Sequence, residues 1–227
     1  MKKKVIIAID GPAGSGKSTV AKEVAKKLGL IYVDTGAMYR ALTLKAIEKK
    51  IDLTDTGALI NLAKNAEIRL ATDKYFKLSV KLDGKDVSEE IRTPFVTNSV
   101  KHVACISGVR KEMVNLQRRA AAEKGAVLEG RDIGTVVFPD ADVKIYLDAG
   151  IDERVRRRYK ELVVKDRDIT IEEVKKDVAA RDKSDEERSV GPLKKAADAI
   201  LIDTTDLTIP EVVNRILQEI TLRRASD

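Results

Sequence analysis

The chain has 227 residues, 43% of them hydrophobic, enough to bury a core in one domain or in one domain with insertions. Forty-three basic against 37 acidic residues leave +6, a mild excess that fits an anionic partner but lacks the basic blocks of a nucleic-acid arm. A single cysteine, Cys105, and a single histidine, His102, exclude a disulfide scaffold, a thiolate zinc site and a multi-histidine metal centre.

Residues 5–9 are a continuous, β-branched apolar run, the pattern of a central parallel strand buried on both faces. The run is too short for a signal peptide, and no stretch approaches the length of a membrane span, so a cytoplasmic location with no membrane partner is expected. A glycine-rich turn follows, then a helix over 19–28 closed by Gly29, a strand over 30–33 and a helix over 38–49. The middle changes character. Strands over 67–71 and 77–82, the turn Asp83-Gly84 and a return strand over 85–88 predict a small antiparallel sheet. Helices are predicted over 96–105 and 109–124, and strands over 126–128 and 143–147, with the charged loop from Glu129 to Gly134 between the two strands. Residues 151–195 hold 14 basic and 12 acidic residues and read as a solvated helical hairpin, with Thr170 and Glu173 as a capping box. A strand over 199–202 and an amphipathic helix opened by Thr208 and Glu211 complete the chain. Strands alternating with helices predict an α/β fold with a mostly parallel sheet, whose ligands bind at the carboxyl ends of the strands.

The glycine loop lies at such an end. Gly11-Pro12-Ala13-Gly14-Ser15-Gly16-Lys17-Ser18 matches G-x-x-x-x-G-K-[ST], with a buried strand before it and a helix after it. Glycines let successive N–H groups converge on phosphate oxygens, and the helix points its positive end at them. Lys17 is then expected to reach the β- and γ-phosphates and Ser18 to give a hydroxyl to Mg²⁺. The loop announces a nucleoside triphosphate but not the fate of its γ-phosphate. No N-K-x-D motif for guanine is present. The candidate for an acidic strand end is residues 144–148, where Asp148 is followed by Ala149 rather than a second acid. That favours a small-molecule kinase over a GTPase or a nucleic-acid ATPase. An acceptor that is itself a phosphate calls for guanidinium forks, and Arg40, Arg110, Arg131, Arg181 and Arg188 stand in loop-like or helix-end contexts, with a further cluster at Arg154, Arg156, Arg157 and Arg158.

Residues 9–12, 34–40 (Asp-Thr-Gly-Ala-Met-Tyr-Arg) and 130–140 (Gly-Arg-Asp-Ile-Gly-Thr-Val-Val-Phe-Pro-Asp), with Arg181-Asp182, Asp185 and Arg188, together resemble the bacterial cytidylate kinases. The resemblance runs over nearly the whole chain, and the 130–140 stretch is its specific part. It implies a phosphate-loop, three-layer α/β fold with an antiparallel insert in the monophosphate-binding part and a helical lid. The core would span about 1–35, 104–150 and 196–227, the monophosphate-binding part about 36–103 and the lid about 151–195. It implies ATP and Mg²⁺ as cofactors, CMP and dCMP as acceptors, a place in pyrimidine nucleotide metabolism and no nucleic-acid partner. Nothing in the sequence demands more than a monomer. ATP would be held by residues 11–18, by Thr19 and by Arg157 from the lid. Arg40 and Arg131 would hold the CMP phosphate, with Thr35 near it. Asp132 would accept from the cytosine amine, and Arg110 would donate to the ring acceptors. Arg181, Asp185 and Arg188 would hold the ribose side, with Lys17, Arg131 and Arg188 serving the chemical step. The chain departs from the family pattern at Lys101, where a small hydroxyl residue is common; Ser99 is a nearby hydroxyl. The base assignment also has a physical reason. A carboxylate accepts from cytosine's amine and repels uracil's carbonyl, so Asp132 would favour CMP over UMP.

Overall fold

A computed structural model describes residues 4–122, 124–164 and 168–226. The central strand β1 (Ile6–Asp10) lies between β6 (Ala126–Gly130) and β7 (Val143–Asp148), with β2 (Ile31–Asp34) outside β6 and β8 (Ile200–Asp203) outside β7. All four pairings are parallel, so each strand is reached by a crossover rather than a tight turn. Side chains alternate across the sheet. Ile7 and Ile9 of β1 and Val127 of β6 join one core, under α1 (Lys17–Leu28) and α8 (Ile209–Ser226). Ala8, Ala126 and Leu128 join the other, under α2 (Thr35–Glu48), α4 (Pro94–Ala104) and α5 (Ser107–Ala121). Burial on both faces is why these strands read as unbroken apolar runs.

The small sheet is β3 (Ile68–Thr72), β4 (Leu78–Leu82) and β5 (Lys85–Asp86), antiparallel throughout. Its tight turn forms at Asp83 and Gly84, with φ of 49° and 86°. Both residues are left-handed, as the two-residue hairpin requires. The return strand is shorter than the sequence suggests because the Asp86 carboxylate accepts the Ser88 N–H (2.9 Å) and turns the chain. Val80, Leu82, Val87 and Ile91 pack this sheet against α2.

Helix α2 begins at Thr35, earlier than the apolar spacing indicates, because Asp34 caps it by accepting the Ala37 N–H at 2.7 Å. A helix that the periodicity did not reveal, α3 (Thr56–Lys64), is capped in the same way by Asp55. Gly57 in its first turn and its nine-residue length hide it. The charged region forms α6 (Ile151–Val163) and α7 (Ile171–Glu186), packed on a small core of their own at Val155, Val174 and Val178. The capping box is in place at Thr170 and Glu173. Position 123 of the expected helix and positions 165–167 of the expected hairpin lie outside the described residues. Among the described residues no helix is long and apolar enough to cross a membrane.

Candidate active site

The loop after β1 turns at Gly11, Gly14 and Gly16, and α1 starts at Lys17. Gly14 lies at φ +76°, and a Cβ there would meet the backbone of Arg154, so only glycine lets α6 settle this closely on the loop. Lys17 is buried; its Nζ donates to the Pro12 carbonyl and to Ser15 Oγ (3.3 Å). Burial, reinforced by the Arg131 guanidinium, pushes the Lys17 ammonium well below its ordinary pKa.

Beside Lys17 stands a carboxylate that the sequence reading passed over. Glu129 is the last residue but one of β6, next to β1, and lies against the Ser18 side chain. It is buried and accepts a hydrogen bond from the Tyr32 hydroxyl at 2.8 Å. Burial, then Asp34, pushes its pKa up. The acid at the phosphate loop is therefore at the end of β6; Asp148 of β7 instead accepts the Ala149 N–H at 2.8 Å. The apolar run Ala126-Val127-Leu128 ending in Glu129 was the available signal. A hydroxyl and a carboxylate suit Mg²⁺, which takes few protein oxygens and completes its shell with phosphates and water. No group of three or more potential metal-ligating His, Cys, Asp or Glu residues occurs among the described residues, so an all-protein cage is not built here.

Asp10 shapes the next element. Its two carboxylate oxygens accept the N–H groups of Ile133 (2.8 Å) and Gly134 (2.7 Å). The segment read as the end of a loop is in fact a π-helical turn, Ile133–Val137, closed by Phe138 N–H to Ile133 O at 2.7 Å. This turn holds Arg131 and Asp132 at the mouth of the sheet. Burial raises Asp10 to about 6, against the two backbone N–H bonds that lower it.

Asp132 forms a buried ion pair with Arg110 of α5. Arg110 also donates to the Ala104 carbonyl (3.2 Å), and its guanidinium carbon lies 5.5 Å from the centre of the Tyr39 ring. Gly191, at φ +61°, covers the pair so closely that any side chain there would strike it. Arg131 Nε donates to Asp185 of α7 at 2.7 Å. Arg188 lies 3.6 Å from the other Asp185 oxygen, too far for a hydrogen bond. Arg40 pairs with Asp34 at 3.2 Å. The Thr35 hydroxyl donates to the Glu129 carbonyl (2.7 Å), so its proton is committed to the backbone. Arg181 pairs with Asp177 (3.2 Å) and reaches Asn98 of α4 at 3.4 Å. Among the described residues these buried donors have no acceptor: Arg40 Nε, Arg110 Nε, and Nε and Nη2 of Arg188.

Of the arginine cluster, Arg154 and Arg157 face the phosphate loop. Arg154 donates to the Ala13 carbonyl (3.1 Å) and pairs with Asp182, while Asp182 accepts the Ala13 N–H at 3.3 Å. Arg157 lies over Gly16 and donates to the carbonyl (2.6 Å) and hydroxyl (2.9 Å) of Thr204. Arg156 and Arg158 are occupied by Glu153 and Glu161. Lys101 is exposed and Ser99 half-buried on α4. His102 is exposed as well, and Cys105 is exposed and free.

The cytidylate kinase family model matches residues 7–222. A cytidylate kinase of Desulforamulus reducens is 56% identical over 211 residues, covering 93% of this chain and 94% of that one. A cytidylate kinase of Bacillus licheniformis is 51% identical over 218 residues, covering 96% of both. The chain belongs to the cytidylate kinase family. A solved structure of an uncharacterized protein from Eubacterium ventriosum, 14% identical, covers 96% of this chain and 99% of its own with a TM-score of 0.51, a likeness of fold alone. Within this cytidylate kinase fold, three side chains to which the sequence assigns no role line the loop. Glu129 touches Ser18, Asp182 takes a loop N–H, and Thr204 donates to the Ser15 carbonyl at 3.3 Å. Asp182 stands in the Arg181-Asp182 motif without a role of its own and Thr204 in no motif; the packing of α7 and β8 brings them to the loop.

Proposed function

We propose that this protein transfers the γ-phosphoryl of ATP to CMP and dCMP, giving ADP and the diphosphate, and serves pyrimidine nucleotide metabolism in the cytoplasm. It would work as a monomer. The observation that carries the reading is the buried Arg110–Asp132 pair beside buried guanidinium nitrogens that have no acceptor. Buried donors are costly to leave unpaired, so this arrangement suits a ligand rich in anionic oxygens. Asp132 meets the demand of a base that bears an amine. The family membership supports both points.

In the proposed reaction, an oxygen of the CMP phosphate attacks the γ-phosphorus. The new O–P bond forms as the bond from the γ-phosphorus to the bridging oxygen of ADP breaks. The attacking oxygen is already anionic, so no general base is required. Lys17 and the loop N–H groups hold the transferred group, and Arg40, Arg131 and Arg188 offset the charge of two facing anions. Arg131 must release part of its contact with Asp185 to do so. Ser18 and Glu129 are the residues that would hold Mg²⁺ with the phosphates, and the ion would supply further charge neutralisation. Residues 36–103 would act as the acceptor-binding part and 151–195 as a lid that excludes water.

An ADP-release assay with CMP, dCMP, UMP, AMP and GMP, run on the wild type and on Asp132→Ala, tests the proposal. Turnover with CMP and dCMP well above UMP is expected, with the CMP/UMP gap narrowed in the variant. Turnover with another monophosphate but not CMP would overturn it, as would ATP hydrolysis that depends on RNA or DNA.

A further inference from the structure

One buried polar group beside the acceptor site is not used by the mechanism above. Tyr39 is only 7% exposed, and its hydroxyl has no hydrogen-bond partner among the described residues. The side chain, on α2, belongs to the core and packs under the Arg110 guanidinium, 5.5 Å from ring centre to guanidinium carbon. The charged groups facing the phenol are Arg110, Asp132 and Arg188. Arginine can only donate, and Arg110 holds one oxygen of the Asp132 carboxylate, whose other oxygen is the acceptor assigned to the cytosine amine. The hydroxyl therefore stands among donors, next to the pair assigned to the base. Burial raises its pKa to about 12, so it carries its proton at any working pH and can donate it. A phenylalanine would fill the same space without leaving an unpaired polar atom, so the packing alone gives the oxygen no task.

We propose that the Tyr39 hydroxyl contacts the substrate, donating a hydrogen bond to an acceptor oxygen on the nucleoside part of CMP, a ribose hydroxyl or the ring carbonyl. The nucleoside is the favoured partner because Arg110 and Asp132, the pair assigned to the base, both face this phenol, whereas Arg188 is the one arginine around it that is also set against the phosphoryl groups. The contact rests on the acceptor-site reading given above and adds a residue to it. It would also lock the ring under Arg110 and so steady the Arg110–Asp132 pair while the base is read.

The test is Tyr39→Phe in the full chain, which keeps the ring and removes one oxygen. Calorimetric titration is expected to show CMP and cytidine both bound about tenfold more weakly. The KM for CMP should rise, while the KM for ATP and the melting temperature stay at wild-type values. Unchanged CMP affinity in a normally folded variant would overturn the proposal. So would a lowered melting temperature with unchanged kinetics, the signature of a merely structural oxygen. Weaker CMP binding with unchanged cytidine binding would place the donor on the phosphate and overturn the nucleoside contact. If the wild type turned over another monophosphate and not CMP, the base assignment would fall instead, and the same variant measured on that acceptor would still judge Tyr39.

Discussion

A lysine buried without a carboxylate bonded to its ammonium carries a desolvation cost. Lys17 donates only to a carbonyl and a hydroxyl, both from its own loop. Its neighbours Glu129 and Asp185 offset part of the repulsion from Arg131, but burial dominates. Stability and catalysis therefore pull in opposite directions at this residue. Lys17→Met is expected to keep or raise the unfolding midpoint, because it removes a buried charge that no ligand yet satisfies. The same variant should lose about 10²–10³ in turnover, the typical loss when one preorganised charge donor to the reacting group is removed. Melting curves and the ADP-release assay check the two halves separately. A lysine that merely braced the loop would lower both.

Single residues act here through the element they fix, and Asp10 shows how. It joins the end of β1 to the π-helical turn Ile133–Val137, and that turn immediately follows Arg131 and Asp132. A buried carboxylate that accepts two backbone N–H bonds is shielded from water but still titrates near 6. The sign of the pH dependence follows from the folded value lying above that of an ordinary aspartate. The folded chain binds the extra proton between about 4 and 6, so the stability this group contributes is fully present below about 4 and is lost as the pH rises through 6. Asp10→Asn is neutral throughout and should flatten that part of the profile in urea titrations run from pH 4 to 7. It should also raise the KM for CMP, because an amide has only one acceptor oxygen for two N–H groups and the turn carrying Asp132 loosens. Elements of this kind mark the boundary of what the chain reveals before folding. The strands of the main sheet, the phosphate loop, the Asp83-Gly84 hairpin and the 170–173 capping box are local patterns, and each is legible. The π-turn is not, because its cause is a carboxylate more than a hundred residues away. Helix α3 was missed because Gly57 and a short span weaken the periodic signal. Glu129 was passed over because a single acid after three apolar residues looks like an ordinary strand end. The arginines of the acceptor site stand out by their loop-like and helix-end contexts, while their separate roles follow only from the family motif.

At the scale of the whole molecule, the apolar packing is divided. Two large clusters cover the two faces of the parallel sheet, and a third, of Val155, Val174 and Val178, lies wholly within α6 and α7. The hairpin is thus its own packing unit, and polar contacts attach it to the body: Arg154 and Asp182 to Ala13, Arg157 to Thr204, Arg131 to Asp185, and Arg181 to Asn98. Such contacts exchange readily with water and with phosphate oxygens, whereas an apolar seam would not. If the hairpin is the lid proposed above, it should therefore unfold or swing without dragging the sheet along. Val174→Ala tests this separation. The cavity it leaves should destabilise only the hairpin, so amide exchange in α7 speeds up while β1 and β6 keep their protection. ATP and CMP added together should restore protection to α7, because in the proposed complex phosphate oxygens would bridge Arg154, Arg157 and Arg131 to the loop. If exchange in β1 and β6 rose in step with α7, the hairpin would be part of one cooperative core, and its motion could not serve as a lid.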